Sequence, residues 1–388
     1  MQSIPLSEPG LDTRCCPIPE FGTSVLAPHT WLPRQQIADG DVMGDGVSGQ
    51  AVRLRMGRGG KSGAIVRVRE PRRQPGDDEV EIAVRAASLN FVDVLSARGK
   101  YPSEHGQPPL GADCSGVVVR RGPAVTEPAI GDRVAALVAD DQGAWSSHVT
   151  VPCDLVLPMP EELDFTTAAA LPAVGLTAWY GIKTLARVES GESVLVHCAT
   201  GGVGLIAVGL ACAAGARVYG TAGSPAKRRY LRALGVEGVT DSRTVGFADS
   251  IRRATGGRGV DVVLNCLPGA AQQAGLETLA IGGRFVELGK RDIYSGGSLG
   301  LTPFRRNLAF FSVDLQLLAQ QRPTILRNVA RQVARSMAHE DFPLPPVTVW
   351  EGEQAREALE VMAGARHTGK MVLDFTRGKQ PLAMSPAA

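Results

Sequence analysis

Tyr101, Lys290 and Asp292 are the side chains with which this sequence could move a proton. A phenol can hydrogen-bond a carbonyl or protonate an enolate, and Tyr101 sits in the Gly/Pro loop Arg98-Gly-Lys-Tyr-Pro-Ser103. Lys290 and Asp292 stand in Gly289-Lys-Arg-Asp292, directly behind the apolar run Gly283-Arg-Phe-Val-Glu-Leu-Gly289. A second set could hold an anion. Gly201, Gly202, Val203 and Gly204 follow Val194-Leu-Val196 and precede a small-residue stretch, Leu205 to Ala214. Glycines there let the backbone approach a pyrophosphate, and a helix N-terminus offers it unpaired N–H groups and a positive dipole end.

These residues need a frame. Strand, glycine turn, helix and the second strand Arg217 to Thr221 make up the dinucleotide-binding unit. The β/α alternation continues: helix Pro225 to Leu234, strand Gly238 to Ser242, helix Phe247 to Thr255, strand Val260 to Asn265, helix Gln272 to Ala280, strand Gly283 to Gly289 and strand Leu308 to Val313. Six strands predict a doubly wound parallel sheet of the Rossmann type. Loops at the carboxyl ends of such strands face the ligand crevice, which is where Lys290, Asp292 and the strand-ending Asn265 fall. Thr177, in Gly175-Leu-Thr-Ala178, could reach the cofactor, and a helical core place suits it as well.

The stretch beyond the glycines selects the nucleotide. An NAD site carries a carboxylate about 20 residues on, holding the ribose 2′-hydroxyl. Thr221-Ala-Gly-Ser-Pro-Ala-Lys-Arg-Arg229 has no Asp or Glu. It has Ser224, Lys227 and Arg228, and a hydroxyl with cations is what a 2′-phosphate needs. Cations in a helix's first turn also oppose its dipole, so helix stability does not explain them. The expected cofactor is NADPH.

Upstream, short strands separated by Gly-rich turns run from Val52 to Val151 and predict a compact, partly closed β-barrel. Leu163 to Leu185 reads as helical, broken at Pro172. After Pro323 come helix Thr324 to Met337, Val347 to Val349, helix Gln354 to Ala363 and strand Gly369 to Phe375, which return to the barrel. The expected organisation is a linker or flanking segment at 1–50, a substrate domain of 51–183 and 318–376, an inserted nucleotide domain of 184–317 and a tail at 377–388. The formal net charge is +2, so bulk electrostatics point to no nucleic-acid partner. No long uncharged apolar run suggests a membrane span. The seven cysteines are scattered without a CxxC, the pattern of a reduced, cytoplasmic chain. His197, beside the glycine turn, reads as packed against the sheet.

Several motifs together resemble the enoylreductase domain of type I polyketide synthases, within the quinone-oxidoreductase-like medium-chain dehydrogenases. They are Leu89-Asn-Phe-Val-Asp-Val-Leu95 with Lys100-Tyr-Pro102, His197-Cys-Ala-Thr-Gly-Gly-Val-Gly204, Thr255-Gly-Gly-Arg-Gly-Val-Asp-Val-Val-Leu-Asn265 and Gly283-Arg-Phe-Val-Glu-Leu-Gly-Lys-Arg-Asp-Ile293. Leu301-Thr-Pro-Phe-Arg-Arg-Asn-Leu308 is similar to the mycocerosic-acid-synthase-like branch. The resemblance implies a GroES-like substrate domain and reduction of a trans-2-enoyl thioester on an acyl carrier protein. Hydride goes to Cβ and a proton to Cα. It links Tyr101 to Cα stereochemistry, adds Ser242 and Arg366 to the 2′-phosphate contacts, and puts Asn90 in a cofactor-binding motif. It also implies other synthase domains as partners and leaves a homodimer open.

Zinc-dependent members of that superfamily place Cys, His and Glu ligands in the barrel. Here the corresponding stretches read Ser88-Leu-Asn90 and Gly111-Ala-Asp113, so no metal is expected. Three departures stand out. Cys198 replaces a usual Ala and reads as a small-for-small exchange, not a reactive thiol. Cys266 replaces a common Ser after Asn265. Pro268-Gly-Ala-Ala271 lacks a Lys that some relatives offer as proton donor, which leaves Tyr101, Lys290, Asp292 or water. Two rival readings stand beside the reductase: a free-standing NADPH quinone or 2-alkenal reductase, and a non-catalytic NADPH-binding scaffold module.

Overall fold

The computed structural model describes residues 49–57, 64–101, 107–339 and 341–376. The expected linker up to residue 48, the tail and the loop residues Pro102 and Ser103 lie outside them. The barrel half begins with the antiparallel pair β1 (Gln50–Met56) and β2 (Ile65–Pro71). Then come β3 (Glu79–Ser88), α1 (Phe91–Ala97), β4 (Asp113–Arg121), β5 (Arg133–Leu137), β6 (His148–Pro152) and β7 (Val156–Pro158). Helices α2 (Phe165–Ala169) and α3 (Pro172–Trp179) lead out of it, and α3 continues in wider π-type turns over Tyr180–Leu185. Pro172 breaks the run as expected, because its fixed φ and missing N–H suit the first turn of α3.

The parallel half holds β8 (Ser193–Val196), α4 (Gly202–Ala213), β9 (Arg217–Thr221), α5 (Pro225–Ala233), β10 (Gly238–Thr240), α6 (Phe247–Ala254), β11 (Val260–Asn265), α7 (Ala270–Glu277), β12 (Leu279–Glu287), α8 (Arg291–Tyr294) and β13 (Ala309–Ser312). Its strand order is β10-β9-β8-β11-β12-β13, all parallel. This is the doubly wound order, with the reversal between β8 and β11. Every residue of β8 and β11 is buried, which is why both read as near-continuous apolar runs. The one carboxylate among them, Asp261, accepts from Ser193 N and Oγ, both at 2.8 Å.

The last elements are α9 (Leu315–Gln321), α10 (Pro323–Ala338), β14 (Val347–Glu351), α11 (Ala355–Ala363) and β15 (Lys370–Asp374). β15 lies between β14 and β3, so the end of the chain completes the seven-stranded barrel sheet β14-β15-β3-β4-β5-β7, with β6 also on β3. Leu326, Val329 and Val333 of α10 share one core with Leu155 and Leu157 of the barrel and Val194 and Val262 of the parallel sheet. Among the described residues no helix is long and apolar enough to cross a membrane.

Several elements differ from the sequence expectation. α4 starts at Gly202, three residues before Leu205. α7 ends at Glu277, and β12 begins at Leu279 and not at Gly283. Leu279 and Ala280 look like the end of an amphipathic helix, but Leu279 pairs with Val260, and the strand then shifts register across Gly282, whose φ is 75°. α9 was not expected; Asp314 caps it by accepting from Leu317 N at 3.1 Å.

Candidate active site

The glycine turn joins the two sheets. After β8 the chain folds so that Gly201 N donates to Cys198 O at 2.9 Å, and Gly201 becomes the cap of α4. A Cβ on Gly204 would lie 2.7 Å from Ala199 Cα, so only glycine lets the helix approach the strand end. Gly201 also bridges to Gly369, and Gly369 N donates to Thr200 O at 2.8 Å. The turn is therefore tied to the start of β15 in the barrel. Val203, in the first turn of α4, is half-buried. The first N–H groups of α4 have no intrahelical acceptor and face the crevice end of the sheet.

On the β9–β10 side of this turn lies a group of cations. Ser224 caps α5, its Oγ accepting from Lys227 N at 3.3 Å. Lys227 Nζ donates to Ala365 O at 2.9 Å, one residue from the exposed Arg366. A Cβ on Gly223 would meet Arg243 Nε at 3.3 Å and Ser242 Oγ at 3.5 Å, so those two groups flank the same turn. Burial pushes the Lys227 ammonium below its usual range, and the neighbouring Arg243 pushes it further the same way. Among the described residues no carboxylate forms an ion pair with Lys227 or Arg366, and Arg243 has only the neighbouring Asp241, which is paired with Arg228. Arg243 escaped the sequence reading because it follows the short β10, outside the stretch where the carboxylate was sought. Arg228 turns aside, donating to Ala222 O at 3.0 Å and pairing with Asp241 at 2.9 Å.

On the β12–β13 side lies a second polar group. Lys290 Nζ donates to the Tyr101 hydroxyl at 2.7 Å, joining residues 189 apart in the chain. The same ammonium is 2.8 Å from Asp314 Oδ2, which also accepts from the Tyr294 hydroxyl at 2.7 Å. Burial works against Asp314's ionisation, but Lys290 and Tyr294 hold its carboxyl below the usual range. Its hydrogen bond in turn keeps the Tyr294 phenol protonated, above its ordinary value. Tyr101's own hydroxyl finds Gln316 Oε1 only at 3.4 Å, a weak contact. Asp292 is not in this group: its Oδ2 accepts from Gly269 N at 2.5 Å, bracing the loop before α7.

A third cluster, of which the sequence pointed only to Asn90, is buried between turn and barrel. Lys370 Nζ donates to Leu89 O at 2.9 Å and Asn90 Oδ1 at 2.8 Å and lies 3.9 Å from Asp113 Oδ2, with Lys370 3% and Asp113 0% exposed. Asp113 accepts from Asn90 Nδ2 at 2.8 Å, from the Ser88 hydroxyl and from Ala173 N at 3.0 Å in the first turn of α3. Asp93 accepts from Asn90 N at 2.6 Å and Gly111 N at 2.7 Å, and burial pushes its carboxyl up to about 7. The Lys370 stem fills the space a side chain on Gly202 would need: a Cβ there would lie 2.8 Å from Lys370 Cδ. Asn90 is thus a node between Lys370 and Asp113. These residues do not fit a zinc ion, because an ammonium stands among the carboxylate and amide oxygens and neither a thiolate nor an imidazole joins them.

The remaining candidates are taken up within the protein. Asn265 Nδ2 donates to Glu287 Oε2 at 2.6 Å and Leu267 O at 2.9 Å. Thr177 Oγ1 donates to Ala173 O at 2.6 Å within its own helix. His197 is packed as expected, edge-on to Phe247 at 4.6 Å with Nδ1 3.1 Å from Thr221 Oγ1, and burial pushes it down to about 3.

Comparison with known proteins agrees with this arrangement. The profile described as "Zinc-binding dehydrogenase" matches residues 202–331, and that described as "Alcohol dehydrogenase GroES-like domain" matches 76–161. A mycocerosic acid synthase-like polyketide synthase of Mycolicibacterium smegmatis is 49% identical over 302 residues, or 78% of this chain and 14% of the relative. The chain thus spans about one seventh of the curated relative it matches. Among solved structures, the CurK enoyl reductase superposes with a TM-score of 0.75 at 34% identity, covering 84% of this chain and 99% of that one. The quinone oxidoreductase of Pseudomonas syringae pv. tomato DC3000 gives 0.73 at 27% identity, covering 84% and 99%.

Proposed function

We propose that this chain, which belongs to the enoyl reductase domains of the medium-chain dehydrogenase/reductase superfamily, reduces trans-2-enoyl thioesters on an acyl carrier protein with NADPH. One observation carries the reading: two polar groups flank the glycine turn on opposite sides along one sheet edge. A dinucleotide lies along the carboxyl ends of such strands with its pyrophosphate at the turn. Its adenosine half then falls to the β9–β10 side, where Ser224, Lys227, Ser242, Arg243 and Arg366 would hold a 2′-phosphate. Its nicotinamide half falls towards β12 and β13, beside Tyr101 and Lys290. Residues 184–317 form the nucleotide-binding unit in this reading, and the two flanking parts form the substrate unit.

Bound NADPH supplies the hydride. The protein has two tasks left. It must stabilise the negative charge that builds on the thioester oxygen, and it must deliver a proton to Cα. Donors placed where charge develops cost no reorganisation during reaction. Lys290 donates to the Tyr101 oxygen, so the phenol's own hydrogen is turned away from Lys290 and only weakly engaged by Gln316. Tyr101 is the donor to Cα in this proposal, Lys290 holds positive charge beside the oxygen that loses the proton, and Asp314 positions Lys290.

The test is NADPH oxidation with straight and α-methyl trans-2-enoyl thioesters, with a p-quinone and a free 2-alkenal as rival acceptors. Thioester turnover well above the others supports the reading. Faster quinone turnover sinks it in favour of a quinone reductase, and tight NADPH binding with no turnover points to a scaffold. For the cofactor, Lys227→Ala should raise the KM for NADPH about tenfold or more, the loss of one charge-assisted hydrogen bond, and leave the KM for NADH nearly unchanged. An unaltered ratio of the two would remove Lys227 from the 2′-phosphate site.

A further inference from the structure

The proposed reaction uses neither Cys198 nor Cys266, yet the fold brings the two together. Val196 of β8 lies opposite Leu264 of β11, and the ladder continues with His197 N donating to Leu264 O at 3.0 Å. Two residues beyond that register each chain segment carries a cysteine. Both cysteines lie just past the ends of these adjacent parallel strands, and a disulfide bridges Cα atoms ~4.4–6.8 Å apart. Cys266 Sγ is 3.9 Å from His197 O, the carbonyl of the peptide that leads into Cys198, so the two thiols are close enough to interact. Both residues are partly exposed, unlike the buried Cys114. Cys198 has a φ of 50°, in the left-handed region, a strained place for a non-glycine residue.

The pair is chemically asymmetric. The hydrogen bond from Cys266 pulls the Cys198 thiol below its usual range; burial opposes this and the Lys227 ammonium assists it. The same hydrogen bond and burial push Cys266 well above its own. That is the division between an attacking and a resolving thiol. Cys198 also helps build the turn, since its carbonyl accepts from Gly201 N and would lie 2.7 Å from a Cβ on Gly204. Drawing Cys198 towards Cys266 moves the turn that receives the nucleotide.

We infer that Cys198 and Cys266 form a dithiol modification site on the cofactor turn, which a small organic disulfide converts to an intrachain disulfide that blocks nucleotide binding. The Cys198 thiolate attacks one sulfur of RS–SR, forming Cys198–S–SR and releasing RS⁻. Cys266 then gives up its proton and attacks Cys198 Sγ, displacing the second RS⁻. Two protein thiols are oxidised and one RS–SR is reduced to two RSH. Only the effect on binding rests on the nucleotide site proposed above; the crosslink does not.

The experiment incubates the full chain with oxidised glutathione, maps peptides by mass without reduction, and titrates NADPH by fluorescence. The expected result is a Cys198–Cys266 crosslinked peptide, NADPH binding weakened about tenfold or more, and recovery of binding with dithiothreitol. Saturating NADPH should slow the crosslink. Cys266→Ser should stop at a glutathione adduct on Cys198, and Cys198→Ser should leave Cys266 unmodified. A fully oxidised chain without the crosslinked peptide overturns the site. A crosslink that leaves NADPH binding unchanged overturns its effect on the cofactor. A reduced chain that binds no NADPH but still crosslinks counts against the nucleotide reading and leaves the thiol site standing.

Discussion

Replacing Lys290 by methionine is expected to lower kcat on enoyl thioesters about 100-fold, the lower end of what a positioned proton-transfer group contributes. The KM for NADPH should move by no more than about threefold, because Lys290 lies on the β12 side and the cations proposed to hold the 2′-phosphate lie on the β9–β10 side. The substitution keeps the length of the side chain and removes the hydrogen bond to Tyr101 at 2.7 Å and the pairing with Asp314 at 2.8 Å. Tyr101→Phe should slow turnover comparably or change the configuration set at Cα when the substrate carries an α-methyl group. Asp292→Asn should do less, since that carboxylate is already held by Gly269 N at 2.5 Å. Steady-state kinetics with stereochemical analysis of the product decides. Full kcat and unchanged configuration in both Lys290→Met and Tyr101→Phe would take the proton route away from this pair.

How much of this was legible in the sequence depended on the range over which each feature is built. The unit β8–turn–α4–β9 is local: a short apolar run, glycines and a small-residue helix are neighbours in the chain, and all of it was readable but the first turn of α4, where the glycines themselves are helical. Ser224 and Lys227, which stand together at one helix start, were readable too. The polar group proposed to transfer the proton was half legible. Tyr101 and Lys290 are chemically conspicuous, but only the fold shows that they touch and that the acid beside them is Asp314 and not Asp292. Asp314 was hidden because it caps a helix with no clear pattern. Lys370 was hidden more deeply. It sits in an apolar closing strand and meets Leu89 across 281 residues, a contact that no local pattern encodes. Cys198 and Cys266 each looked like an isolated exchange; their pairing follows from strand order alone.

Lys370→Met offers the largest expected effect on stability, and its cause is electrostatic. Lys370 and Asp113 are 3% and 0% exposed, and removing one partner of a buried pair leaves an uncompensated charge. The cost of such a break is about 3–5 kcal/mol, which in a chain of this size lowers Tm by roughly 4–6 °C. The stem is kept in volume, so packing against Gly202 contributes little to the loss. A double variant, Lys370→Met with Asp113→Asn, should recover part of it, because the amide is neutral and can still accept from Ala173 N and the Ser88 hydroxyl. A purely steric role for Lys370 predicts no recovery in that cycle. Catalysis gives a second readout. Lys370 holds Asn90 and packs under the first residue of α4, so the single variant should raise the KM for NADPH at temperatures where it is still folded. Thermal unfolding of the four members of the cycle, with NADPH kinetics of the folded ones, separates the outcomes. A Lys370→Met protein as stable as its parent would mean that Asp113 can be left buried without its cation, and that the turn and the barrel are held together by backbone contacts at Thr200, Gly201 and Gly369 alone.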